Sequence, residues 1–187
     1  MQAALEELKK GAGDGYRRSQ YWDEILNAIA FEGDDPESEN MDYVCNNDVM
    51  AAVAIECLRP ELDEIALNPM TTVTTMIGLS SRNAAKTCSS KTFFEGLLRV
   101  AKEKIPGSIG AYALTSLTNL ALHSESHRHL LQVGGLQFAL GLLHYLDGET
   151  NNEIDVGLTS ASFICRVVGK EESGPGPDAI KANSKVS

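Results

Sequence analysis

Residues 113–146 read ALTSLTNLALHSESHRHLLQVGGLQFALGLLHYL. An apolar helix, a polar break, a short apolar run, a Gly-Gly pair and a second apolar helix follow one another. From Ile109 to Leu122 the residues Ile109, Ala113, Leu117 and Leu120 fall at helical spacing, with Leu114 and Ala121 beside them. That stripe is broad, as a helix contacted on two sides requires. Gly134-Gly135 lets the chain reverse sharply where a side chain would clash. A lone hairpin cannot bury so much apolar surface, so the stretch reads as one unit of a stack.

The rest of the chain supports this. LTSLTNLA at 114–121 returns as LTSASFIC at 158–165, 44 residues on. A weaker echo, TMIGLS at 75–80, lies 41 residues before 116–121. The order of elements recurs as well. After 77–79 come a polar break, a short turn at 83–88 and a helix over Phe93–Lys104. After 118–120 come a polar break, a short turn at 128–132 and a helix over 136–146. A period of roughly 40–47 residues with two or three helices per unit is that of armadillo and HEAT arrays.

The quoted stretch resembles the armadillo repeat. The matching residues are Ala113, Leu117, Asn119, Leu120, Ala121, Leu130, Leu131, Gly134, Gly135, Leu136, Leu140, Leu142 and Leu143. The match is good over 108–146, fair over 154–168 and weak over 70–100. Family units usually carry a proline two residues after the Gly-Gly; Gln137 stands there. The resemblance implies a concave groove into which the Asn of the Asn-Leu-Ala helix looks, holding the backbone of an extended peptide. Asn119 matches that residue, and an amide both donates and accepts. Its other reading is a cap or bond to a neighbouring helix. Tyr112, Thr115 and Ser116 precede it on the same helix, and Thr159 and Phe163 are their counterparts one unit on. Import adaptors of this class repeat a Trp-x-x-x-Asn array. Here Thr115 stands at the Trp position, and Gly78 and Phe163 stand where further Asn residues would be, so that specialised role is not implied.

We therefore expect an all-α chain: a short armadillo-like α-solenoid of about three stacked helical repeats. Residues 1–47 hold N-terminal helices and an acidic mobile loop (33–42), which has five acidic residues in ten. Residues 48–168 hold the repeat domain, with units over 69–106, 107–147 and, incomplete, 148–168. Residues 169–187 have the composition of a disordered tail. Helices are expected over 1–10, 21–31, 48–58, 62–67, 70–79, 91–104 and 153–168. Trp22 reads as a core anchor of the N-terminal helices.

Composition narrows function. With 16 basic against 26 acidic residues, a net charge of -10 and a pI of about 4.8, nucleic acid is not an expected partner. A protein or peptide partner fits, with a weak preference for a basic one. Cys45, Cys57, Cys88 and Cys165 are far apart and form no CxxC, so we read them as reduced thiols of an intracellular protein, cytoplasmic or nuclear. No apolar run reaches the ~20 residues that span a bilayer. Gly11–Gly15 (GAGDG) lacks the Lys-Ser/Thr ending of a phosphate loop and reads as a turn. His123, His127 and His129 lie in a polar segment, and 123 and 127 would share a helical face. With no HExxH and no Cys or acidic partner at ligand spacing, the segment reads as a solvated loop rather than a metal site. No nucleophile elbow or paired Cys/His signature is present.

The expected function is thus non-catalytic binding of a protein segment along the groove lined by Tyr112, Thr115, Ser116, Asn119, Thr159 and Phe163, with no cofactor and no metal. The alternative is a structural or regulatory subunit whose apolar solenoid edge packs onto a larger assembly. The last unit stops at Val168, and a bare solenoid end there allows self-association.

Overall fold

The computed structural model describes residues 2–10, 14–31, 69–70, 74 and 91–169. The expected acidic loop at 33–42, the helices at 48–58 and 62–67, the turn at 83–88, the tail beyond residue 169, and Cys45, Cys57 and Cys88 lie outside the described residues. Every element among the described residues is helical, so the chain is all-α. In chain order they are α1 (Gln2–Lys9), α2 (Gly15–Phe31), α3 (Lys91–Lys104), α4 (Ser108–Leu120), α5 (Ser124–Gln132), α6 (Gly135–Gly141), a 3-10 turn η1 (Leu143–Asp147) and α7 (Asn151–Val168). No described helix is long and apolar enough to cross a membrane.

Local chemistry sets the helix ends. Asp14 Oδ1 accepts the N–H of Arg17 at 3.0 Å, so α2 begins at Gly15, six residues before the expected start. Helix α3 keeps its expected bounds, with Lys102 and Lys104 in its last turn, where cations suit the dipole. Gly107 is the N-cap of α4, and no side chain caps it. Thr150 opens α7 two residues earlier than expected through a reciprocal capping box: its hydroxyl accepts the Glu153 N–H while Glu153 Oε2 accepts the Thr150 N–H. The helix expected over 136–146 is broken. Helix α6 ends at Gly141, a residue poor at holding a helix, and 143–147 tightens into η1. Gly134 adopts φ 82°, the left-handed conformation that turns α5 into α6.

The polar segment 123–132 is a helix for most of its length, not a solvated loop. Its side chains close the C-terminus of α4. Ser126 Oγ donates to the carbonyls of Leu120 (2.6 Å) and His123 (2.7 Å), and His127 Nε2 lies 2.9 Å from the carbonyl of Ala121. The last carbonyls of a helix lack internal partners, and here the next helix supplies them. His129 stacks on Phe94 of α3, with ring centroids 5.6 Å apart.

Helix α4 packs on α3 and α7, and α7 packs in turn on α6 and η1; α5 touches both α3 and α6. One apolar cluster runs from Leu5 and Trp22 through Phe94, Leu97 and Leu117 to Phe163 and Val167. Trp22 is fully buried, as its reading as an anchor requires. Helix α4 is covered on both flanks, which is why its stripe is broad. On one side Ser116 Oγ lies 2.8 Å from Thr74 Oγ1. On the other, Leu114 packs with Leu142 and Val156, and Arg166 Nη1 donates to the carbonyl of Thr118 at 2.7 Å. The two helix pairs are joined in the same manner. A Cβ on Gly110 would collide with the end of α3 at Lys104–Ile105, and one on Gly157 with η1 at Tyr145–Leu146.

Candidate functional groove

Four of the six expected groove residues reach the surface. On α4, Tyr112 is exposed and Thr115 and Asn119 are half-buried; the spacing i, i+3, i+7 puts them in one row. Leu122, exposed, extends that row by one more turn. Thr159 on α7 is half-buried.

Ser116 and Phe163 do not belong to the groove. Ser116 is wholly buried; its hydroxyl donates to the Tyr112 carbonyl at 3.0 Å and pairs with Thr74. It therefore joins two helices. Phe163 is 1% exposed and sits in the core, where a Cβ on Gly135 would stand 3.3 Å from its ring. Position 163 is the counterpart of Asn119 by count. However, α7 turns a different arc of its surface inward because α6 and η1 lie beneath it. Its buried residues are Val156, Gly157, Ser160, Phe163 and Val167.

The polar groups of the row differ in availability. Thr115 Oγ1 donates back to the Ala111 carbonyl at 2.9 Å, so its donor is engaged and its lone pairs remain. Asn119 is half-buried, and its amide makes no hydrogen bond to a described residue. Two further residues complete the site. Asp155 and Arg166 lie four residues before and seven after Thr159, on the same face of α7. Arg166 is held by the Thr118 carbonyl, immediately beside Asn119. Sequence reasoning passed over both, although stepping along the helical face from Thr159 finds them. Along α7 a carboxylate, Asp155, thus stands toward the start, a guanidinium, Arg166, toward the end, and the Thr159 hydroxyl between them.

A concavity of about 540 Å³ lies elsewhere, between α3 and the end of α5, lined by Glu95, Leu98, Arg99, Lys102, Glu103, Gln132 and Val133. Its wall alternates acid and base; Arg99 and Glu103 pair at 3.1 Å. Among the described residues no three His, Cys, Asp or Glu side chains gather as a metal ion would need. Cys165 is a free, exposed thiol. The Glu153 carboxyl is held below its ordinary value, first by the Thr150 N–H and then by the Thr150 hydroxyl.

No family model, curated protein or solved structure matches the chain.

Proposed function

We propose that the chain is a non-catalytic protein-binding module: a short armadillo-like stack of about three helical units that holds an extended segment of a partner along the row Tyr112–Thr115–Asn119, with Thr159 and Arg166 on the adjoining helix. The observation that carries this reading is the Asn119 amide, half-buried at the surface with no hydrogen bond to a described residue. A polar group so placed is poised to satisfy a main-chain N–H and C=O. The recurrence at 44 residues and the two-sided covering of α4 support the stacked arrangement. Arg166 beside Asn119 suits a carbonyl or carboxylate of the bound segment, while the net charge of -10 favours a partner that is basic elsewhere. No cofactor is required for such binding, and the reading of the four cysteines as reduced thiols favours the cytoplasm or nucleus.

The test is affinity capture with the wild-type chain and with Asn119→Ala, comparing the retained proteins by mass spectrometry and checking the fold by far-UV circular dichroism. Selective loss of a partner from the folded variant supports the groove. The same proteins retained at the same levels would overturn it.

A further inference from the structure

Arg166 is half-buried, and no described residue forms an ion pair with it. Its Nη1 donates to the Thr118 carbonyl at 2.7 Å, and that bond holds the guanidinium near the end of α4, next to Asn119. A backbone carbonyl takes one of the five N–H donors and leaves the positive charge in place. The described surroundings supply no carboxylate. Helix α4 (SIGAYALTSLTNL) has no charged residue at all. On α7 the neighbours one turn before Arg166 are Ser162 and Phe163, both uncharged. Asp155 shares the face but lies eleven residues back, about 16 Å along the axis at about 1.5 Å per residue. Acids are not scarce in the chain, which has 26 against 16 basic residues. The exposed Arg99 and Lys10 have theirs, Glu103 and Glu7. The dipole at the end of α7 favours a cation at 166, yet it offers no acceptor for the remaining donors.

We propose that Arg166 determines the specificity of the groove: it takes a side-chain carboxylate, Asp or Glu, of the bound segment whose main chain lies against Asn119. The inference rests on the groove reading and names the residue type that the groove selects. A guanidinium already held by one N–H has the rest of its planar fork for a carboxylate, which it can bind through two parallel hydrogen bonds. The preference at this point is opposite in sign to the field of the whole chain. A net charge of -10 draws basic partners from a distance. Arg166 then rejects a segment that sets Lys or Arg against it, so attraction and selection act on different features of the partner. The ligand is an extended segment with an acid at one position and basic residues around it.

Short random peptides displayed on phage test it, joined to the coat protein through their C-terminal ends so that side chains are the only carboxylates offered. The full chain is the bait, as wild type, Arg166→Gln, Arg166→Glu and Asn119→Ala, with far-UV circular dichroism of each. Wild type is expected to enrich peptides that share one Asp or Glu. Arg166→Gln should lose that preference, and Arg166→Glu should replace it with Lys or Arg at the same position. An enriched peptide, synthesised with an amidated C-terminus, should bind wild type at least about tenfold more tightly than its counterpart with the acid changed to the matching amide. Peptides that are lost with Asn119→Ala but share no acid overturn the proposal and leave the groove reading standing. Peptides retained equally by Asn119→Ala, or no enrichment at all, overturn both. An acid preference unchanged in Arg166→Gln and Arg166→Glu overturns the proposal, since the acid then sits elsewhere. If neither Arg166 variant folds, the acid-to-amide exchange in the peptide decides alone, and an unchanged affinity is the refutation.

Discussion

Gly157→Ala sets two effects of known sign against each other. In a helix interior alanine is favoured over glycine by about 0.8–1.0 kcal/mol. Helix α7 nevertheless lies against η1 so closely that a Cβ at 157 would stand 2.6 Å from the Leu146 nitrogen, 2.8 Å from the Tyr145 carbonyl carbon and 3.0 Å from the Leu146 Cα, against the 3.4 Å at which ordinary contact begins. All three atoms are backbone, so no rotamer change relieves them; the two elements must separate and Val156 and Phe163 must repack. Forcing an extra carbon into such a site costs roughly 1–3 kcal/mol, and the backbone collision places this case at the upper end. The net expectation is a loss of about 1–2 kcal/mol, which for a chain of this size lowers Tm by about 2–8 °C. Gly141→Ala is the internal control. It too is helical, at the end of α6, but its Cβ would meet nothing within 4 Å. Relief of unfolded-state entropy should raise stability there, by up to about 0.5 kcal/mol. Thermal melts of both variants, followed by circular dichroism with a urea titration in parallel, provide the comparison. A Gly157→Ala protein as stable as Gly141→Ala would refute the close seating of α7 on η1, and with it the reason α7 turns Phe163 inward.

Phe163→Ala should cost about 3–5 kcal/mol in a denaturant titration, as for other large core residues; a fully stable variant with altered partner binding would return Phe163 to the groove. Glu153 predicts an acid effect. Its folded carboxyl titrates below the ordinary 4.5 because the Thr150 N–H and hydroxyl bond the charged form. The stability it contributes is therefore complete above about that value and is lost as pH falls through the lower, folded value. Glu153→Gln should remove this part of the acid-side decline in a plot of Tm against pH, and an unchanged acid limb would show that the capping box contributes nothing.

Much of the helical scaffold was legible from local pattern. The stripe Phe94, Leu97, Leu98, Ala101 and the closing Lys102 and Lys104 place α3 at its observed bounds. Trp22 and Ile25 fall three apart in α2 and are both buried. The surface row Tyr112, Thr115, Asn119 was readable because seven residues nearly complete two turns. What failed was transfer between units. Counting 44 residues carries Asn119 to Phe163 and Leu114 to Leu158, yet one pair exchanges surface for core and the other core for surface. A repeat in sequence conserves residue order; it does not conserve the rotation of a helix about its own axis, which depends on what lies beneath and beyond it.

The histidine segment shows the same division. Its polarity is plain in HSESHRH, and polarity alone suggests solvent. At the end of α4 the Leu120 carbonyl accepts the Ser126 hydroxyl besides the His123 N–H, and the Ala121 carbonyl lies against His127 Nε2, so Ser126 and His127 are structural instead, and these side chains reach the carbonyls only once α5 folds back across them. By itself, then, the sequence determined the all-helical character, the bounds of α3 and the sharp reversal at Gly134-Gly135, because these depend on neighbours within a few residues. Tertiary structure alone decided which arc of α7 is core, that Ser116 bridges to Thr74, and that Leu158 is uncovered. Burial of a helical face is a property of the pair of surfaces that meet, and only one of the two is written in the helix itself.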